Sequence, residues 1–233
     1  VKSRHKDRTI NTYRLGGTWT EEIIRAMQKR HSNRRQFLAA ATGLAGSLAL
    51  PARSVAADPI GAVTALSGVA TADRSGNSVA LSVGAGLMER DLVKTGGQSF
   101  LAMLLGDETA LRLGADAELL IDEYLAGVKG TFDLSGGAMV FDRPEDAPKT
   151  ATTIRSVFGQ LGVRGTRFFA GPNRDVFAVF VERGELAVTA AGATQTLRSG
   201  DGVDIRAPGA PASSVTQWPQ DRINEAFASV APS

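Results

Sequence analysis

Phe100-Leu101-Ala102-Met103-Leu104-Leu105-Gly106-Asp107-Glu108-Thr109-Ala110-Leu111-Arg112-Leu113 decides the fold class. A six-residue apolar run meets a Gly-Asp-Glu break and then becomes a strict apolar/polar alternation. Runs this short are too brief for helices, and a period of two belongs to strands. The text reads as two strands joined by a turn. The first is apolar on both sides and is expected to be packed on both faces.

The same grammar extends in both directions. Ala62–Leu66, Val69–Ala72, Val79–Leu81 and Asp91–Thr95 precede the hairpin, with Asp73–Asn77 reading as a turn. Glu118–Ile121, Gly130–Leu134, Ala138–Phe141, Asp175–Val181 and Glu185–Thr189 follow it. Gly200-Asp201-Gly202-Val203-Asp204 reads as a glycine turn entering a strand rather than a calcium loop, because it lacks the ligands of an EF-hand. Arg143–Lys149 is a charged, proline-bearing loop that separates two β halves or crosses the surface. Ala207–Ser214 reads as a linker. In Pro219–Val230, residues Ile223, Ala226, Phe227 and Val230 recur at helical spacing, and Pro219 suits a first turn. The expected fold is all-β, a sandwich or a solenoid, with one short C-terminal helix. No strict repeat period selects the solenoid.

A different signal lies upstream. Ser32-Asn33-Arg34-Arg35-Gln36-Phe37-Leu38 stands before an uncharged Ala/Leu/Gly stretch ending at Leu50, followed by Ser54-Val55-Ala56-Ala57. A basic segment, a short apolar segment and small residues at a cleavage region make an export signal, and paired arginines mark its twin-arginine form. Arg34, Arg35, Phe37 and Leu38 carry the motif. The apolar stretch is too short and too rich in Gly, Ser and Thr for a permanent span of about 20 residues. Residues 27–57 are therefore expected to be a signal peptide. Residues 1–26 are either an upstream extension before a start at Met27 or a disordered segment. The mature protein is expected to comprise a β domain over 58–206 and a linker with a helix over 207–233. Its expected location is the periplasm, with the cell surface or the exterior as further destinations. The twin-arginine translocase is the expected partner during export.

Cutting at Ala57 reverses the charge. Residues 58–233 hold 15 Lys+Arg against 21 Asp+Glu, a net of −6, whereas the whole chain is +2. An acidic domain lacks the electrostatic footprint for nucleic acid or anionic lipid. His5 and His31 both precede the cleavage region, and the chain has no cysteine. Histidine triads, thiol chemistry, disulfides and most zinc, copper or haem ligation are thereby excluded from the mature part. No cofactor is expected.

The candidate chemical groups have plainer readings. Asp107-Glu108, Asp122-Glu123 and Glu145-Asp146 could supply glycosidase carboxylates. Neighbours on a strand point to opposite faces, however, so adjacency does not create the needed pair. Turn and surface roles fit them better. Arg164 and Arg167 around Gly165 could hold a phosphate or carboxylate, or could pair with acidic neighbours and cover apolar surface. Lys94, Lys129 and Lys149 leave a Ser-Lys dyad conceivable, with no motif behind it.

Several segments together resemble the FecR domain. Gly61-x-Val63 with Gly68 resembles its opening. Leu87 through Asp91-Leu92-Val93-Lys94-Thr95-Gly96 resembles its Gly-Asp-x-Ile-x-Thr-Gly region, with Arg90 in place of the glycine. Leu104–Leu113 resembles its Asp-Gly-Thr hairpin, with Glu108 in place of the glycine. Val163-Arg164-Gly165-Thr166-Arg167-Phe168 matches its Val-Arg-Gly-Thr-x-Phe signature, and Val181–Val188 with Leu197-x-x-Gly200 completes the order. The resemblance implies a non-enzymatic, all-β periplasmic module, and implies that Val163, Arg164, Gly165 and Thr166 are architectural. Known members sit behind a transmembrane helix and a cytoplasmic segment that regulates a sigma factor, and this sequence shows neither. The resulting expectation is a soluble, non-catalytic sensing or binding module for an unidentified envelope protein or polysaccharide. The rivals are a glycan-acting envelope enzyme and a structural or assembly protein of the cell surface.

Overall fold

A computed structural model describes residues 58–148 and 150–232. The export motif at Arg34, Arg35, Phe37 and Leu38, the cleavage region Ser54–Ala57 and the upstream extension lie outside the described residues.

The strands in chain order begin with β1 (Gly61–Ser67), β2 (Ala70–Arg74), β3 (Asn77–Ala80), β4 (Gly86–Leu87) and β5 (Leu92–Thr95). There follow β6 (Phe100–Leu105), β7 (Thr109–Leu113), β8 (Glu118–Leu125), β9 (Lys129–Gly136), β10 (Met139–Asp142) and β11 (Ala151–Ser156). The last are β12 (Gly159–Asn173), β13 (Val176–Ala190), β14 (Ala193–Arg198), β15 (Asp201–Ile205) and β16 (Thr216–Gln217), before the helix α1 (Gln220–Ala228).

The decisive hairpin is β6–β7. Leu105 stands opposite Thr109 across the loop Gly106-Asp107-Glu108. The left-handed residue of this turn is Gly106, with φ +56°, so Glu108 does not need to be glycine. Arg90 likewise takes the left-handed conformation, φ +66°, at the position where the resemblance expects glycine.

All strands belong to one hydrogen-bonded sheet, and β12 and β13 fold it into two layers. Gly159–Val163 of β12 pair with β11, whereas Arg167–Ala170 pair with β10. Glu185–Ala190 of β13 pair with β14, whereas Phe177–Phe180 pair with β15. The first layer therefore runs β3-β2-β5-β8-β9-β11, then the near halves of β12 and β13, then β14. The second runs β4-β1-β6-β7-β10, then the far halves, then β15 and β16. Pairing is antiparallel except for β9 with β11, where β10 carries the chain into the second layer and back. A layered sandwich, rather than a coil of stacked turns, is what this pairing produces.

One core fills the space between the layers. Leu101, Met103, Leu111, Phe141 and Phe168 from the second layer meet Leu119, Ile121, Phe132 and Leu186 from the first. Phe132 and Phe141 approach edge-on across the layers at 6.4 Å. A second, smaller cluster lies on the outside of the second layer. There Val140, Phe169, Ala178, Phe180 and Trp218 are covered by Ala226, Val230, Ile223 and Phe227. These last four form the stripe read from the sequence. The run 176–181 is apolar on both sides because its strand has the core beneath it and α1 above it.

Several sequence expectations are corrected. Asp175–Val181 and Glu185–Thr189 are one strand, β13, continuous through Gly184, and Asp175 belongs to a two-residue turn with Arg174 (φ +63° and +52°). The turn at Asp73–Asn77 shrinks to Ser75-Gly76, both with positive φ, as a tight hairpin requires. Arg143 is not a loop surface residue but is 3% exposed. The 207–214 segment is a strap laid on the body, where Ala210 and Ala212 pack on the core and the Ser213 N–H donates to the Asp204 carbonyl at 2.9 Å.

Candidate functional site

The signature segment lies where β12 and β13 pass from one layer to the other. Arg164 pairs with Glu185 and Arg167 with Arg183, so Gly165 and Thr166 together oppose only Gly184. Phe168 then pairs with Val181, which leaves Glu182 as the extra residue on β13. Two bulges on opposite strands, one step apart, bend both strands sharply, which is how a sheet turns a corner.

Each signature residue has a place in that bend. Val163 is buried in the core, and Arg164 is exposed. Thr166 is fully buried, with its hydroxyl 2.7 Å from the Glu185 carbonyl and 3.0 Å from that of Arg164. The hydroxyl can donate to one of these carbonyls, so the buried Thr166 side chain is satisfied within the bulge. Gly165 has φ +59°, and a Cβ there would meet nothing nearer than Glu145 Cα at 3.9 Å. Gly165 is thus needed for its backbone conformation and not for space. Gly184 is needed for both. Its φ is +87°, and a Cβ would collide with the Gly165 carbonyl and lie 3.0 Å from Thr166 Cα.

An ionic network binds the corner to the loop after β10. Asp142 accepts hydrogen bonds from Arg167 (3.1 Å) and Arg183 (2.8 Å). Arg183 also donates to the Arg143 carbonyl at 3.1 Å. Arg143 turns its buried guanidinium toward the β6–β7 loop, donating to Thr109 (2.8 Å), Glu108 (2.7 Å) and the Pro148 carbonyl (2.9 Å). The loop is therefore tied at both sides.

Between the loop and the outer face of the second layer runs an open trough of about 500 Å³. Leu104 and Ala110 contribute its apolar lining; Asp107, Glu108, Asp142, Glu145, Asp146 and Arg183 contribute the charge. Glu108 and Asp142 are neutralised by the arginines named above. Asp107, Glu145 and Asp146 remain exposed, with Glu145 at 3.9 Å from Arg183. A second depression, about 340 Å³, continues past Glu145 to Arg164, Gly165, Gly184 and Glu185. The signature glycines thus border a shallow, acid-rimmed surface that an extended polar segment could cross.

The remaining acidic residues are elsewhere. Asp122 pairs with Arg155 at 2.8 Å, and Glu123 with Lys129 at 2.5 Å. Two of the three adjacent acidic pairs, Asp107-Glu108 and Glu145-Asp146, meet at the trough, with Glu108 held by Arg143, while Asp122-Glu123 lies apart from it. Arg167 is held by Asp142 and lies 5.7 Å from the Phe227 ring centroid, as the surface-covering reading expects. Among the described residues no cluster of three metal-ligating side chains occurs.

Sequence reasoning missed one further constellation. Asp91 is completely buried and receives Arg74 through Nε (2.7 Å) and Nη2 (2.9 Å), plus the Met88 N–H (2.9 Å). Arg74 also donates to the Gly86 carbonyl. The Asp91 carboxylate, by hydrogen bonding, raises the Arg74 pKa above its ordinary value despite partial burial. The clamp ties β2 to the β4–β5 connection. The only signal for it was Asp91 itself, inside the Gly-Asp-like segment; Arg74 was hidden in an apparent turn.

The family model described as FecR protein matches residues 91–187. No curated protein matches the chain. Two crystal structures of a protein from Parabacteroides distasonis described as an anti-sigma factor are similar to it at 14% and 13% identity, with TM-scores of 0.48 and 0.47. Each match covers 56% of this chain and 61% of the other. The chain thus spans about three fifths of the length of those proteins. The matched segment starts at the Asp91 clamp, includes both strands of the corner and ends three residues past Gly184, so residues 91–187 are identified as a FecR domain.

Proposed function

We propose that this chain is a periplasmic sensing module that acts by binding, not by catalysis, and that its FecR domain engages a protein partner of the envelope across the acid-rimmed corner. One observation carries the reading. The family match takes in the two bulged strands whose glycines line the depression adjoining the trough at Glu145, so the most family-like residues build a rigid surface. The trough is open and bordered by a loop fastened through Arg143 and Arg183. A preorganised loop lowers the ordering cost of association. Export is by the twin-arginine route, with residues 58–233 as the mature protein. No helix among the described residues is long and apolar enough to cross a membrane.

The test combines fractionation with capture. The parent should be found in the periplasmic fraction, and replacement of Arg34 and Arg35 by Lys should retain it in the cytoplasm. Parent protein used as bait in envelope extracts should retain a partner that the double variant Glu145→Arg/Asp146→Arg loses and a Val157→Ser surface control keeps. Cytoplasmic parent protein, or glycan hydrolysis abolished by the rim variant, would overturn the reading.

A further inference from the structure

Among the described residues the sheet has a free edge at β3, and we propose that β3 pairs antiparallel with β3 of a second copy, on a two-fold axis through Val79.

The backbone pattern defines which groups are available. Arg74 stands opposite Asn77 across the two-residue turn, and Ala72 opposite Val79. The Leu81 N–H donates to the Ala70 carbonyl at 2.9 Å. In an antiparallel ladder hydrogen-bonded pairs alternate with non-bonded ones. Asn77, Val79 and Leu81 therefore use their backbone groups toward β2. Ser78 and Ala80 direct theirs outward, where β3 has no neighbour among the described residues.

The side chains show an unfinished layer. Val79 shares the core face with its cross-strand neighbour Ala72, which is fully buried, yet Val79 is 40% exposed. All four residues of β3 are exposed. Natural edges are usually blunted by charge, proline or a covering segment. Residues 75–88 contain no Asp, Glu, Lys or Arg and no proline. The opposite edge of the same layer is treated differently: β14 carries Arg198, and its Gln195 donates to the Ser213 carbonyl of the strap at 3.0 Å. At the outer edges of the second layer, β4 and β16 are two residues each.

A second copy satisfies this edge in one register. With the axis at Val79, Ser78 of each copy exchanges both backbone hydrogen bonds with Ala80 of the other. Val79 then meets Val79 as a non-hydrogen-bonded pair, with Cα atoms about 4.5 Å apart, the closer of the two spacings. The exposed valines cover each other on the core face. No like charges meet within the paired strands, although each domain is acidic. A strand of four residues gives a small interface of the transient class, below about 1,200 Å², so the dimer should be concentration-dependent.

The absence of cysteine from the chain permits a direct test. Val79→Cys in the full-length chain places two thiols within disulfide reach across the axis. Mild oxidation should give a disulfide-linked dimer at least tenfold faster than with Val157→Cys, an exposed position at the tip between β11 and β12. Sedimentation of the parent across the micromolar-to-millimolar range should show monomer–dimer exchange, weakened at least tenfold by Val79→Lys. Thermal unfolding of each variant verifies that the fold is intact. Equal crosslinking at positions 79 and 157, a parent that stays monomeric throughout, or a dimer indifferent to Val79→Lys would each overturn the proposal. The corner trough takes no part in this pairing, so partner capture can fail without affecting this result.

Discussion

The two halves of the β12–β13 hairpin are continuous in the backbone but differ in what lies outside them. In the half belonging to the first layer, Gln160, Arg164 and Glu185 face solvent while Leu161, Val163, Leu186 and Val188 enter the core. The pattern is a clean alternation. In the half belonging to the second layer, Phe168 to Gly171 and Phe177 to Val181 are buried without a break. Alternate side chains there enter the main core or meet α1. Hydrophobic periodicity therefore reports how many faces are covered, not whether a segment is a strand. The change occurs within a few residues, at the bulges that move the hairpin from one layer to the other.

The most direct way to break this arrangement is at the joint. Gly184→Ala combines a left-handed residue, costing about 1–2 kcal/mol, with a forced backbone displacement costing about 1–3 kcal/mol more. Its expected destabilisation is about 3 kcal/mol. Gly165→Val incurs the conformational cost without a clash, although a branched side chain suits φ +59° poorly. About 2 kcal/mol is expected there. Gly209 is not the silent control that a linker position suggests, because its φ is +76° in open space; strain of the same kind is expected. Gly97→Ala, whose φ is ordinary and whose Cβ would meet only Asp116 at 3.7 Å, is the proper control. Chemical denaturation midpoints should rank Gly184→Ala below Gly165→Val, with Gly97→Ala near the parent. The reverse order of the first two would show that conformation, not close packing at Gly184, limits the corner.

The next contrast tests the coverings. Phe180 is 2% exposed, stacks on Trp218 at 5.0 Å and meets Phe227 edge-on at 6.1 Å. Phe180→Ala should cost about 3–5 kcal/mol, as large-to-small changes of buried aromatics do. On the first layer's outer face, Lys94 lies 3.5 Å from both Asp73 and Glu118. Lys94→Ala should cost at most about 1 kcal/mol, since exposed pairs are screened and entropically costly. Urea unfolding at two salt concentrations separates them. Only the Lys94 effect should shrink at high salt. Comparable costs would mean that α1 adds little to the second layer.

Much of this was legible in the text. The hairpin 100–113 was read to the residue, and the helical stripe of Ile223, Ala226, Phe227 and Val230 packs as its spacing requires. Within 159–173, Val163 and Phe168-Phe169 read as buried strand residues flanking a glycine at a bulge or close backbone approach, and they are that. The full length of the strand is not legible, because Gly159, Gly162, Gly171 and Pro172 interrupt the apolar pattern. Gly159, Gly165 and Gly171 have local reasons, whereas Gly162 has an ordinary φ and room for a Cβ, 3.7 Å from Ala187 Cβ. A Cβ on Gly171 would strike Ala138 Cα at 2.5 Å, and one on Gly159 would meet the Thr189 carbonyl. These reasons belong to neighbouring strands, which no local pattern contains. The same holds for the site. The signature could be found in the sequence, but its partner Gly184 stands nineteen positions after Gly165, and the Arg143 and Arg74 clamps join residues brought together only by folding. Arg143 looked like a surface charge beside Pro144. Its burial follows from Thr109 and Glu108, at the turn between β6 and β7.

The smallest expected effect concerns how α1 is held over the second layer. Arg174, in the turn between β12 and β13, donates to Asp221 at 2.8 Å and Glu225 at 2.9 Å. The Arg174 hydrogen bond holds the Asp221 carboxyl below its usual range, outweighing desolvation, with the Arg222 N–H assisting. A carboxyl whose pKa is depressed by folding stabilises the fold at pH above its unfolded value, about 3.9. That contribution is lost as pH falls through the lower folded value. Arg174→Ala should therefore lower the melting temperature slightly at neutral pH and low salt, and the gap from the parent should close well below about pH 3.9. High salt should also narrow it, since both partners face solvent. Comparing variant with parent at each pH cancels the other carboxylates, which titrate in both. Scanning calorimetry at neutral and strongly acidic pH measures the difference. A gap that persists undiminished in acid would mean that Arg174 holds α1 by packing against it, because the charge on Asp221 would then be irrelevant to the attachment.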